Sequence, residues 1–202
     1  MGGAALDALG FILSTVLNIY ALLVGLRFVM QLVRADYYNP LAQFIVKATD
    51  PVLKPMRRLI PSIKQYDTSS LLLCFLVLLL KYVIFMLIPL GGLFLANYSV
   101  HPQAWSGINL ISGTFIDLIG LLFNVFIYSL VLQAILSWIP AAQGNPMEGM
   151  LRAITAPVLK PIRRYVPPLG SFDLSTLVGI LGLFALKIFV VGTLFSWLGP
   201  FA

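Results

Sequence analysis

The sequence predicts an all-α membrane protein: four transmembrane helices from two parallel-orientation helical-hairpin repeats, each with an amphipathic cytoplasmic helix in its loop. Three observations predict it. Hydrophobic residues make up 60% of the 202 residues and charged residues only 10%, against roughly 45–50% and about 25% in soluble domains. Apolar stretches of the ~20 residues needed to cross a hydrocarbon core occur at residues 11–33, 70–95, 111–139 and 175–198. The chain also repeats itself at a constant step. Asn39-Pro40 and Thr49-Asp50-Pro51-Val52-Leu53-Lys54-Pro55-Met56-Arg57-Arg58 return 106 positions later as Asn145-Pro146 and Thr155-Ala156-Pro157-Val158-Leu159-Lys160-Pro161-Ile162-Arg163-Arg164. The same step relates Pro61 to Pro167, Asp67 to Asp173, Ser69 to Ser175 and Lys81 to Lys187. The duplicated unit is therefore a whole hairpin.

The first repeat covers residues 1–100. Its first span, 11–33, has too long an apolar run for a cleavable signal peptide, no basic residue before it and no small-residue cleavage pattern after it. In the loop, over 40–60, Leu41, Phe44, Ile45 and Ala48 fall at i, i+3, i+4 and i+7, with Gln43 and Lys47 off that stripe. This spacing predicts a short amphipathic helix. Thr49 and Asp50 predict a new N-cap, with Pro51 in the first turn of a second short helix. There Val52, Leu53, Met56, Leu59 and Ile60 share one face and Lys54, Arg57 and Arg58 the other, while Pro55 should kink the helix and Pro61 end it. The hairpin closes with the span 70–95. The second repeat, 101–202, has spans 111–139 and 175–198 and a loop helix over 146–166. In that loop Val158, Leu159, Ile162, Tyr165 and Val166 oppose Lys160, Arg163 and Arg164.

Orientation follows from the basic residues. Arg34, Lys47, Lys54, Arg57, Arg58 and Lys64 lie in the first loop and Arg152, Lys160, Arg163 and Arg164 in the second, while the tail before Phe11, the segment from Ala96 to Leu110 and the final Gly-Pro-Phe-Ala have no Lys or Arg. Under the positive-inside rule both loops are cytoplasmic, both termini are outside, and the repeats are related by an axis along the membrane normal. Topology thus accounts for the +6 net charge without nucleic acid, since aromatic interleaving of the kind that stacks bases is missing from these loops. Lys54, Arg57, Arg58, Lys160, Arg163 and Arg164 are the candidate binding residues. Each cation near an anionic leaflet is worth about 1 kcal/mol, and the same face could dock a protein partner.

Inside the membrane a polar ladder is also duplicated: Asn18 with Asn124, Lys81 with Lys187, and one unlike pair, Arg27 with Gln133. At ~1.5 Å per residue, Arg27 and Gln133 lie roughly 10 Å from the cytoplasmic end, Lys81 and Lys187 roughly 15–20 Å and Asn18 and Asn124 roughly 25 Å. A central lysine costs about 2.5–3.5 kcal/mol to insert, so both call for partners. Asp117, the only acid on a predicted span, is expected to lie too shallow to meet them fully. Asn18, Asn124, Gln133, Tyr20, Tyr128 and backbone carbonyls are the expected partners. The ladder serves either as interhelical glue or as the lining of a cleft between repeats.

Catalytic chemistry is not expected. The single His, His101, and single Glu, Glu148, are predicted on opposite sides of the membrane and cannot share an acid–base site. The lone Cys74 allows no internal disulfide or cysteine metal cluster, so neither metal nor cofactor is expected. Cations in the core also disfavour a fixed cation pore built from one chain.

The repeated Asn-Pro, the Pro-x-Leu-Lys-Pro-x-Arg-Arg run, the closing Pro and the Asp-x-Ser/Thr before the next helix resemble the YGGT family of integral membrane proteins in its two-copy bacterial form. Arg27-Phe28, Asp36-Tyr37-Tyr38-Asn39-Pro40 and Leu136-Ser137-Trp138 extend the resemblance, which runs from about Phe11 to Leu198; Gln133 departs from the arginine of the first copy. The resemblance implies a bacterial cytoplasmic (inner) membrane location and a link to osmotic or envelope stress tolerance and ion homeostasis. Plastid relatives are linked to cytochrome cofactor assembly and nucleoid distribution. Two functions are compatible with these residues: a non-enzymatic scaffold or assembly factor acting through its basic loops, or an oligomeric transporter or ion-homeostasis component with a pathway past Lys81 and Lys187.

Overall fold

A computed structural model of the chain describes residues 2–60, 67–87, 107–137, 146–166 and 173–198. Among them are six helices: α1 Gly2–Leu32, α2 Pro40–Leu59, α3 Thr68–Leu87, α4 Gly107–Ser137, α5 Pro146–Ile162 and α6 Leu174–Leu198. Of these, α1, α3, α4 and α6 are long and apolar enough to cross a membrane, so the four predicted spans are found with shifted ends. Because Ala4, Ala5, Leu6, Ala8 and Leu9 are strong helix formers, α1 starts at Gly2 and not near Phe11. That puts Asp7 on the helix, so Asp117 is not the only acid on a spanning helix. The predicted stretch 88–95, the last two residues of 111–139, Pro61, Pro167 and His101 lie outside the described residues.

Between α1 and α2 the chain turns in two capped steps. Ala35 N–H donates to Met30 O at 2.8 Å and Arg34 N–H to Gln31 O at 3.2 Å, with Arg34 in the left-handed region at φ 53°. This is a Schellman turn closing α1. Asn39 then caps α2, its Oδ1 accepting from Ala42 N–H at 2.7 Å, with Pro40 in the first position where a missing N–H costs nothing.

The expected second start at Thr49 and Asp50 does not occur, because α2 runs unbroken to Leu59. Thr49 instead donates its hydroxyl to Ile45 O at 2.7 Å, and Asp50 pairs with basic side chains. Pro51 and Pro55 sit inside the helix, each withholding one bond from the carbonyl four residues earlier. Those carbonyls belong to Lys47 and Pro51, both exposed, where an unmade internal bond costs least. The buried stripe of α2 is Ala42, Ile45, Thr49 and Leu53. Phe44, which the spacing puts on one apolar stripe with Ile45, is 56% exposed while Ile45 is buried, since one residue's rotation of about 100° carries it off the Ile45 line.

The core joins α1 (Val24, Met30), α2 (Ile45, Leu53), α3 (Leu73, Leu78), α4 (Leu118, Val125) and α5 (Leu151, Ile154). Within each half the two long helices pack along their length, α1 on α3 and α4 on α6; α4 also packs on α1 and α3, and α2 meets α5. Gly25 brings α1 close to α4, since a Cβ there would lie 2.5 Å from Leu121 Cδ2. The last helix is peripheral. It lies against α4 and α5, and its buried residues are only Ser175, Thr176 and Gly179. At Gly179 the absent side chain admits Leu159, Ile162 and Leu130, which a Cβ would meet at 3.3–3.6 Å.

Candidate functional site

Three sets of polar side chains occupy the repeat-related positions, and each copy uses them differently. The first set ties each loop helix to the helix that follows. Asp67 caps α3 through Ser70 N–H at 3.3 Å and also holds Arg57, while Ser69 Oγ donates to Ile60 O at 2.7 Å. In the second copy Asp173 caps α6 through Thr176 N–H at 3.3 Å, pairs with Arg163 at 2.7 Å, and Ser175 Oγ donates to Val166 O at 2.7 Å. Burial opposes ionisation of Asp67, but its bonds from Arg57 and Ser70 outweigh it and hold the carboxyl below the usual range. Asp173 is shifted the same way: burial opposes, Arg163 and Thr176 prevail. Arg57 and Arg163 thus spend their charge within the chain. The aspartates and serines of this latch stand in the repeated motif, yet no sequence pattern showed which arginine they would hold.

The second set lies where α1 meets α2. Arg27, 5% exposed, donates to Thr49 Oγ1 at 2.6 Å and Val46 O at 3.2 Å, and pairs with Asp50 at 2.8 Å. Asp50 also meets Lys54 at 3.0 Å. Burial raises its pKa less than these bonds from Lys54 and Arg27 lower it, so the carboxylate is held below its ordinary value. The second copy replaces charge by neutral polarity. Thr155 donates to Gln133 Oε1, and the position of Asp50 is Ala156. Gln133 therefore serves Thr155 and is not a lysine partner.

The third set is the ladder's centre. Lys81 donates to Asn18 Oδ1 at 3.3 Å, and Lys187 to Asn124 Oδ1 at 2.9 Å, so each lysine has the asparagine partner expected for it. Asp117 corrects the expectation that it lies too shallow, because Lys81 pairs with it at 2.8 Å. Since α4 begins at Gly107, Asp117 is about 15 Å inside the helix, and lysine's long stem closes the rest. Neither Tyr20 nor Tyr128 partners a lysine: Tyr20 Oη is buried without a partner. The tyrosine at this site is Tyr82, whose hydroxyl donates to Asp117 Oδ2 at 2.7 Å. The repeat does not mark it, because the second copy has Ile188 there. Lys81, Lys187, Asn18, Asn124 and Asp117 all line one cleft of about 610 Å³, shared by α1, α3, α4 and α6.

On the loop helices Lys54, Arg58 and Lys160 are exposed, and so is Arg164 in the turn after α5, which ends at Ile162 and not at 166. Tyr165, expected on the apolar face, is 87% exposed, lying beyond the end of α5 at Ile162. Among the described residues no three His, Cys, Asp or Glu side chains are grouped as a metal site would require.

An all-helical chain with four helices fit to cross a membrane and a duplicated set of polar contacts is consistent with a multi-pass membrane protein. It belongs to the CCB3/YggT family, whose sequence model matches residues 6–88 and again 112–194. Both ends of the two matches differ by the same 106 positions. Among its relatives is a Vibrio alginolyticus protein described as uncharacterized in the proC 3′ region, 38% identical over 178 residues, 88% of this chain and 90% of the relative. An uncharacterized Pseudomonas aeruginosa protein is 38% identical over 94% of this chain and 91% of its own length. The uncharacterized protein YggT of Escherichia coli K12 is 34% identical over 94% of this chain and 92% of its own. No solved structure matches the chain at a significant level.

Proposed function

We propose that the protein is a non-enzymatic scaffold or assembly factor of the inner membrane, with two hairpins pointing the same way and both loop helices on the cytoplasmic face. It binds anionic headgroups there and presents a docking surface to a protein partner, in support of osmotic or envelope stress tolerance. One observation carries this reading: α2 meets α5, and these helices with the turn after α5 expose Lys54, Arg58, Lys160 and Arg164 as well as apolar Phe44 and Val52. Exposed cations next to exposed apolar side chains suit a helix lying among headgroups. The latches to Asp67 and Asp173 favour a fixed platform. The test is the anionic lipid that the purified protein retains from mixed phosphatidylglycerol and phosphatidylethanolamine discs. Replacing Lys54, Arg58, Lys160 and Arg164 together with Gln, with orientation checked first, should lower the retained phosphatidylglycerol severalfold. Unchanged retention removes the reading.

A transport or ion-homeostasis role past Lys81 and Lys187 is the second reading. The observation on its side is that both lysines line one cleft.

A further inference from the structure

The two lysine sites are copies of one another, and one of them already contains its ligand. In the first, the Lys81–Asn18 pair holds a carboxylate, Asp117 of the other repeat, at 2.8 Å from the ammonium. In the second, Lys187 and Asn124 form the same pair at 2.9 Å, but the residue 106 positions before Asp117 is Phe11, and that after Tyr82 is Ile188. At these equivalent positions the chain supplies a carboxylate and a phenol to the first copy and neither to the second.

The chemistry of the cleft is consequently one-sided. Lysine only donates, so each asparagine turns its carbonyl oxygen to the ammonium and is left with its NH2 donors. Among the described residues Lys187 donates to Asn124 alone, leaving further N–H groups. Neither asparagine nitrogen is among the buried atoms that lack a partner, so these donors are reachable. With Lys81, Lys187 and Asp117 on its wall, the cleft carries two positive charges and one negative. Its volume of about 610 Å³ falls within the ~300–1,000 Å³ of small-molecule sites.

We propose that Lys187 and Asn124 bind an oxyanion, a carboxylate or a phosphate monoester, in the manner that Lys81 and Asn18 bind Asp117. The ligand's source is either the head of a single-chain amphiphile whose tail lies along the apolar part of the cleft, or a small free anion. The proposal uses the cleft of the second reading above but needs no transport. Binding without flux would leave the site in place and remove that reading alone.

The test uses the full chain in nanodiscs of zwitterionic lipid, with radiolabelled oleate as the first probe and inorganic phosphate and acetate as competitors. Saturable oleate binding that the small anions displace only weakly assigns the site to an amphiphile; displacement of oleate by acetate or phosphate at comparable concentration assigns it to the free anion. Lys187→Met should weaken binding at least tenfold. Asn124→Leu should do the same by removing the carbonyl that holds the Lys187 ammonium. Arg152→Gln, distant on α5, should leave binding unchanged. Absence of saturable binding by any of the three probes in the unaltered protein overturns the proposal, and so does binding that survives both Lys187→Met and Asn124→Leu.

Discussion

At the scale of single residues, the difference between the repeats is a charge removed together with its countercharge. Position 27 is arginine and position 50 aspartate in the first copy; 133 is glutamine and 156 alanine in the second. Taken alone, Gln133 looked like a lost cation. With the contacts in view it is one half of a neutral substitute, since Thr49 and Thr155 are kept and each bonds the residue at the arginine position. A buried ion pair costs much to break and little to replace whole. Asp50→Ala should therefore destabilise by about 1–3 kcal/mol, leaving Arg27 buried beside Thr49 without its carboxylate. Adding Arg27→Gln to it, which recreates the second copy's arrangement, should recover at least about 1 kcal/mol of that loss. Unfolding by denaturant in mild detergent measures the cycle, and strictly additive effects would contradict the compensation.

At the scale of elements, the Arg57–Asp67 and Arg163–Asp173 pairs make each loop helix and the span after it one mechanical unit. Both aspartates titrate below the ordinary carboxyl value, which is about 3.9 in an unfolded chain. Their stabilisation is complete above that value and is lost as pH falls through the lowered folded ones. Unfolding midpoints should hold from neutral pH down to about 4 and then drop. Asp67→Asn with Asp173→Asn should lower the neutral plateau and flatten that drop; an unchanged acid profile would show that the latches do not carry it. These units were half legible in the sequence. The apolar lengths placed α4, α6 and the start of α3 to within a few residues, and the repeat marked Asp67 and Ser69 as the counterparts of Asp173 and Ser175. What they bind was not legible, because periodicity reports faces within a helix and not contacts across a turn. Pro51 misled for a related reason. A proline after Thr-Asp is a strong start signal, but Asn39 had already begun the helix and the buried stripe through Leu53 kept it going.

At the scale of the molecule, the duplicated sequence does not build a fully symmetric bundle. Helix α3 packs on α1, α2 and α4, whereas α6 lies on α4 and α5, and both α1 and α6 contribute to the cleft's lining. The cleft thus sits where symmetry would place a second seam like that between α3 and α4. Asp117 belongs to this scale too. It has no counterpart in the first copy, so comparison of the repeats could not reveal that it would cross to Lys81. Everything proposed for the loops depends on both hairpins pointing the same way. The direct measurement places single cysteines by Lys54→Cys and Lys160→Cys in a Cys74→Ala background, then labels them with a membrane-impermeant maleimide in spheroplasts and in inverted membrane vesicles. Parallel repeats predict that both positions react in inverted vesicles and neither in intact spheroplasts; reaction of the two positions from opposite sides would contradict the account.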